Sequence, residues 1–327
     1  MVLLCHLPFV YGAPGYLTFV DIFNFAIGVD LFFIISGYLM MATFFGKKDR
    51  YDINDALSFY GKRFRRIFLP TVFWATVLFI ETPIILKIGN VGDAREMSWI
   101  YVSAISFLSN FKDALQPTAF GYFWSIALEA QFYLLLPAIF IFAPGNAWKV
   151  AIAAIAIMSL PLLVPVWAWH FRMNGLFMGM LAWWVVQRMG DVGSTLPRYA
   201  ESFILPLYSV ALMFAAAAVD RYMLENYKFT IISILMVVIF LGAVLSRRLV
   251  FGWFSRVLEW IGDISFSVYL CHFPVWVLVL WILRDMLHMH RDAYAPVGLI
   301  AVFVCGYLSR RYIEPLLDKQ RGTSAGH

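Results

Sequence analysis

The stretch NFAIGVDLFFIISGYLMMATFF (Asn24–Phe45) contains one charged residue, Asp30, and is otherwise almost wholly apolar. A helix that crosses the hydrocarbon core of a bilayer needs about 20 such residues. Working outward, comparable apolar stretches recur along the chain, and they predict about ten spans. These lie at roughly 1–12, 24–45, 67–89, 120–142, 148–166, 172–188, 202–219, 229–246, 261–284 and 293–313. The first is short because GAPG at 12–15 stops it, and 99–111 reads as a re-entrant or interfacial helix. Of 327 residues, 62% are hydrophobic and 14% charged, with a mean hydropathy of +0.78. A soluble domain averages about 45–50% apolar and 25% charged residues, so one aqueous core cannot hide this surface. Disorder, a secreted disulfide scaffold and a solenoid are excluded with it. The expected fold is all-α, a polytopic membrane helix bundle.

Basic residues orient the spans. With both termini cytoplasmic, 17 of the 25 Lys and Arg fall in inner loops and 8 in outer ones, as the positive-inside rule requires. The net charge of +5 therefore reflects cytoplasmic loops, and no nucleic-acid partner is expected. No Lys or Arg precedes Lys47, so the apolar start reads as a helix of the mature chain rather than a signal peptide. The organisation expected is a single transmembrane domain over 1–321 with a short cytoplasmic tail at 322–327. Cys5, Cys271 and Cys305 lie in apolar stretches without metal-ligand spacing, so they read as packing residues and no metal is expected.

Ionisable groups within spans cost several kcal/mol unless paired or hydrated, which makes each a functional candidate. The deep ones are His6, Asp30, Glu81, Glu129 and His272, with Ser36, Ser125, Gln131 and Ser265 near them in sequence. His6 lies in LCHLP (Leu4–Pro8) and His272 in LCHFP (Leu270–Pro274). In each the proline breaks the helix ladder and frees carbonyls to bond. Ser125 and Glu129 stand four residues apart, on one helix face. Glu81, two residues before Pro83, reads as part of a structural kink. The run KRFRRIFLP (Lys62–Pro70) is either a topogenic collar or a phosphate clamp, since guanidinium forks suit phosphates.

In combination these segments resemble membrane acyltransferase family 3, polytopic enzymes that acylate cell-surface glycans and some small natural products. The resemblance runs through LLCHLP (Leu3–Pro8), GVDLFFIISGYLM (Gly28–Met40), KRFRRIFLP and FWSIALEAQFYLLLP (Phe123–Pro137). It continues through FRMNGLFMGM (Phe171–Met180), GDISFSVYLCHFPV (Gly262–Val275) and YIEP (Tyr312–Pro315). Each is weak alone; seven in the family's order are specific.

The resemblance implies an O-acyltransferase, most simply an O-acetyltransferase. It would take an acyl group from cytoplasmic acyl-CoA to a hydroxyl of an extracytoplasmic glycan or lipid-linked sugar, in a bacterial-type inner membrane. His6 would be the general base, Glu129 would orient a ring or stabilise the imidazolium, and Asp30 would be well placed to orient a neighbour. Arg63, Arg65 and Arg66 would bind the phosphates of acyl-CoA. Ser36, Trp124, Ser125, Tyr269 and His272 would line the substrate cavity. Family members usually carry an arginine upstream of the first-helix histidine, and its absence leaves two expectations: a truncated start, or a member that works without it. Asn174–Gly175 also stands where an acidic or aromatic residue is more usual, which leaves the role of Arg172 open. With no hydrolase-like domain after the bundle, transfer would be direct or to a separate partner. A proton-coupled transporter or flippase with buried His and Glu is the competing class, though two related halves are not evident beyond the LCHxP pair, and a truncated non-catalytic relative is the third reading.

Overall fold

The structure is a computed structural model that describes residues 1–11, 25–45, 52–83, 94–112, 119–142, 146–158, 173–189, 204–222, 225–245 and 253–318. Among the described residues all regular structure is helical, as expected where lipid offers backbone groups no partner. In chain order the helices are α1 (Val2–Tyr11), α2 (Gly28–Phe45), α3 (Ile53–Arg63), α4 (Leu69–Glu81), α5 (Ala94–Ile105), α6 (Ser109–Lys112) and α7 (Phe123–Phe142). There follow α8 (Ala147–Met158), α9 (Asn174–Met189), α10 (Ile204–Tyr222), α11 (Glu225–Leu245), α12 (Trp253–Leu280), α13 (Tyr294–Leu308) and α14 (Glu314–Asp318).

Four continuous helical stretches are long and apolar enough to cross a membrane: Phe25–Phe44, Phe123–Phe142, Arg256–Met286 and Arg291–Leu316. Tyr208–Ala218 and Thr230–Val244 are shorter apolar helices. The expected interfacial segment at 99–111 is helical too, as the end of α5 and the start of α6. The chain is therefore a multi-pass membrane protein, all-helical among the described residues.

The basic collar has a local cause. Asp52 accepts hydrogen bonds from the amides of Asn54 and Asp55 at 2.9 Å each, and Asp55 accepts one from the Asp52 amide at 3.2 Å. This reciprocal cap starts α3, which carries Lys62 and Arg63 in its last turn. A π-helical turn, Phe64–Phe68, then carries Arg65 and Arg66 into α4, whose first turn holds Pro70.

The chain divides into two compact units. The first comprises Met1–Cys5, Thr18–Ala56 and Gln131–Val257, and its seam is glycine-lined. A Cβ on Gly37 of α2 would lie 2.0 Å from the Leu176 carbonyl oxygen, and one on Gly179 of α9 would lie 2.1 Å from that of Ile34. One on Gly175 would meet the Asp30 carbonyl at 3.0 Å. Helices associate in lipid without a hydrophobic drive between them, so close backbone approach at small residues supplies the attraction. Around the seam Ile27, Ile34, Ala216, Ala217, Ile232, Met236 and Ile239 form one buried cluster. Phe44 stacks on Phe140, and the edge of one ring meets the face of the other in the Phe132–Phe177 pair.

The second unit comprises His6–Leu17, Leu57–Ala130 and Leu258–His327. Here α12 and α13 pack closely, since a Cβ on Gly306 would lie 2.4 Å from Val268 Cγ2. The Trp74 indole of α4 donates to Ser309 Oγ at 3.2 Å, and Thr76 and Tyr101 share a hydrogen bond of 2.9 Å. Near the chain's end Arg310 bridges Asp263 and Glu314, while Ser267 donates to the Glu314 carboxylate.

Gly179→Val should strip the first unit of its seam, because the clash is with backbone that cannot rotate away. We expect a loss of at least 1–3 kcal/mol, the usual overpacking penalty, read as a lower unfolding midpoint in detergent. Gly262→Ala is the control: its Cβ meets nothing within 4 Å, and it should be neutral or slightly stabilising.

Candidate active site

Pro274 sits inside α12. Lacking an N–H, it cannot bond the carbonyl four residues back, which belongs to Leu270. That carbonyl is taken by the Tyr122 hydroxyl at 2.8 Å, and Tyr269 in turn donates its hydroxyl to the Tyr122 carbonyl at 2.8 Å. The two tyrosines thus latch the start of α7 to the middle of α12. Ser125 Oγ lies 2.6 Å from the Tyr269 hydroxyl. Ser125 Oγ also donates to the Tyr122 carbonyl, at 3.3 Å, so both hydroxyls converge on that oxygen.

The latch frames two histidines. His272, on α12, is fully buried, and its Nδ1 lies 2.5 Å from the Tyr269 carbonyl. A carbonyl can only accept, so His272 Nδ1 carries the proton and its Nε2, in the neutral ring, carries the lone pair. His6 Nδ1 lies 3.0 Å from that Nε2. The ring planes are within 7° of parallel, with centroids 5.2 Å apart. His6 therefore donates from Nδ1, which leaves its Nε2 as the one unprotonated nitrogen of the pair that is not spent on the other ring. The chain of polarity runs from the Tyr269 carbonyl through His272 to a basic His6 Nε2.

Aromatic rings close round this pair. Tyr122 and Trp276 present edges to His272 with centroids at 4.7 and 5.2 Å. Phe273 lies against both histidines, at 5.3 Å from His6 and 4.8 Å from His272, and stacks on Tyr122 at 5.2 Å. Such a lining excludes water and strengthens the hydrogen bonds within it.

Of the sequence candidates, the structure brings together His6, His272, Tyr269 and Ser125. Glu129 is buried on α7 one turn beyond Ser125, on the same face, and Trp124 is half-buried beside Ser125. Asp30 is fully buried in the first turn of α2, and Ser36, also buried on α2, accepts from the Tyr133 hydroxyl at 3.5 Å. Both belong to the first unit. Arg63 packs its guanidinium over the Phe59 ring at 5.6 Å, Arg65 bonds the Gly61 carbonyl at 3.2 Å, and Arg66 is exposed. Arg172 lies outside the described residues.

Sequence reasoning missed Tyr122, Phe273 and Trp276. Tyr122 had a signal: the proline four residues past Leu270 announces an orphan carbonyl that something must satisfy. Glu81 also gains importance. It ends α4 at a π-helical turn, as a kink would, but its Oε2 is buried without a hydrogen-bond partner.

The profile of the family described as the acyltransferase domain, acyltransferase 3, matches residues 1–311, nearly the whole chain. The chain belongs to that family. It is 26% identical over 344 residues to the peptidoglycan O-acetyltransferase OatA of Listeria monocytogenes, covering 96% of this chain and 53% of that protein. It is likewise 26% identical over 287 residues to the O-acetyltransferase OatA of Staphylococcus aureus strain NCTC 8325, covering 77% and 46% respectively. The chain thus spans about half the length of the curated relatives it matches. No solved structure matches it.

The latch makes a testable pair. Tyr122→Phe leaves the Leu270 carbonyl without a donor and should cost about 1–3 kcal/mol of stability. In a Pro274→Ala background the restored amide can bond Leu270, so the same Tyr122→Phe change should cost less. A double-mutant cycle by denaturation in detergent should give a coupling of about 1 kcal/mol or more; additivity within about 0.3 kcal/mol would separate the two residues.

Proposed function

We propose that the chain is a membrane O-acetyltransferase that moves an acetyl group from cytoplasmic acetyl-CoA to a hydroxyl of an extracytoplasmic glycan, with His6 as general base. The observation that carries this reading is the directed histidine pair, in which His272 forces the lone pair of His6 onto Nε2. Family membership supplies the reaction class, the names of the Listeria and Staphylococcus relatives support acetyl as the group, and the Listeria name supports a cell-wall glycan as the acceptor.

The chemistry follows from the tautomers. The acceptor O–H gives its proton to His6 Nε2 as its oxygen attacks the thioester carbonyl carbon. The resulting imidazolium keeps its Nδ1–H on His272 Nε2, a neutral acceptor that stabilises the cation without trapping the proton. The tetrahedral intermediate then expels the coenzyme A sulfur, which takes the proton from His6 Nε2. One O–H and one C–S bond break; one C–O and one S–H bond form. Glu129 and Asp30 act, in this reading, by positioning and by charge rather than by taking the acceptor's proton.

The dimensions of α4 suit a donor that is charged at one end and reactive at the other. At 1.5 Å per residue its 13 residues span about 20 Å. Arg63, Arg65 and Arg66 precede its first turn, and Glu81 closes its last. With α4 rising from the cytoplasm, the arginines would hold the phosphates of acyl-CoA inside. The acyl arm would then extend into the bundle toward the histidine pair. This resolves the separation of a charged cytoplasmic donor from an external acceptor.

The test is acceptor-dependent thiol release from acetyl-CoA by the protein in nanodiscs, with a cell-envelope glycan fraction. His6→Ala should lower kcat/KM by about 10²–10⁴-fold. His272→Phe should also lower turnover, since it leaves His6 free to take the other tautomer, while KM for acetyl-CoA stays near wild type. Wild-type turnover in His6→Ala would remove it as the base, and no thiol release from the wild type would favour transport over transfer. Arg66→Ala should instead raise KM for acetyl-CoA more than it lowers kcat, because a phosphate contact binds ground and transition states alike.

A further inference from the structure

In the first unit, helices α8, α9 and α11 enclose an open groove of about 460 Å³. Its lining is wholly apolar: Ile152 and Ile155 from α8, Met178, Leu181, Ala182 and Val185 from α9, and four residues of α11 from Ile234 to Leu241. Ile152, Ile234 and Val238 are about half exposed. Nothing in the proposed acyl transfer uses this groove.

One end of the groove is chemically distinct. Trp148 of α8 stacks on Trp184 of α9, with centroids 4.8 Å apart and planes 22° apart. Lys149 Nζ lies 5.5 Å from the centre of the Trp148 ring, and the Arg188 guanidinium lies 5.0 Å from that of Trp184. Helical spacing links this cluster to the groove. Ile152 and Ile155 follow Trp148 by four and seven positions, and Leu181 precedes Trp184 by three, so each stripe stays on one face. Neither α8 nor α9 contains an acidic residue, so the two cations are uncompensated on their own helices.

We infer that this is a binding site for an anionic glycerophospholipid of the surrounding bilayer, its phosphate held by Lys149 and Arg188 and one acyl chain lying in the groove. Positive-inside bias and interfacial tryptophans would each account for a cation or an indole singly. They do not account for both cations seated on one stacked pair at the mouth of an apolar channel. The scale agrees. Seven residues from Trp148 to Ile155 descend about 10 Å, within the roughly 15 Å depth of one leaflet. Ammonium and guanidinium donors suit a phosphodiester, and a groove lined only by hydrocarbon suits a chain with no polar group to satisfy.

Native mass spectrometry of the full chain, titrated with phosphatidylglycerol or phosphatidylcholine of equal chain length, tests this. The wild type should bind phosphatidylglycerol about tenfold more tightly than phosphatidylcholine, and Lys149→Gln with Arg188→Gln should abolish that preference. Ala182→Phe, which fills the groove, should weaken both lipids; Val238→Phe, at a half-exposed position, serves the same purpose if the first variant unfolds. An undiminished preference in the double variant would overturn the phosphate site. Unchanged retention of both lipids in a folded groove-filling variant would overturn the acyl site and leave the groove to another helix.

Discussion

A neutral imidazole has one proton and one lone pair, and which nitrogen keeps which is decided by its neighbours. In this protein the decision is made by a backbone carbonyl. Tyr269 holds the proton of His272 on Nδ1, His272 thereby holds the proton of His6 on Nδ1, and the basic nitrogen of His6 is aimed away from the pair. A carboxylate in place of His272 would bind the imidazolium more strongly but would also compete for its proton. A second imidazole orients the first at a smaller electrostatic penalty for burial, which matters where lipid surrounds the site and an uncompensated charge is expensive.

That relay works only if α12 holds Tyr269 and His272 in fixed register, and the fixing is indirect. Pro274 removes one ladder bond, which would ordinarily loosen a helix. Here the freed Leu270 carbonyl becomes the anchor for Tyr122, and the returning bond from Tyr269 to the Tyr122 carbonyl closes the latch. The defect in the ladder is therefore what ties α7 to α12. The tightly packed α12–α13 contact at Gly306 supports the same helix from another element.

The helical class and the polar outliers were legible because each follows from a one-body rule: an apolar run must be a helix in lipid, and a buried ionisable group needs a reason. His6 and His272 were visible singly on those terms, and the matching LCHxP motifs even pointed to freed carbonyls. What no one-body rule contains is the pairing. Neither the 266 residues that separate the histidines nor the tautomer relay can be read from spacing, because both depend on where α1 lies against α12. Tyr122 was missed for the same reason, although its partner's orphan status was written in the position of Pro274. The glycine seam was likewise half visible: Gly175 and Gly179 have the small-xxx-small spacing, but only the packed helices show that Gly37 answers them.

Catalysis in a membrane sets two demands that pull apart. In the proposed reaction the histidine pair must be dry and rigid, while a charged donor and a hydrated acceptor would arrive from opposite aqueous phases. The second unit meets the first demand with the aromatic box that Tyr122, Phe273 and Trp276 form against His272. In the proposed function the second demand would fall to α4, whose basic collar and terminal Glu81 mark its two ends. A helix of that length would separate the phosphates of an acyl-CoA donor from its thioester by a fixed distance, so that binding energy gained at the phosphates could be spent on holding the thioester. On this reasoning, the rate should depend on the integrity of α4 as a rigid spacer as well as on the charges that precede it.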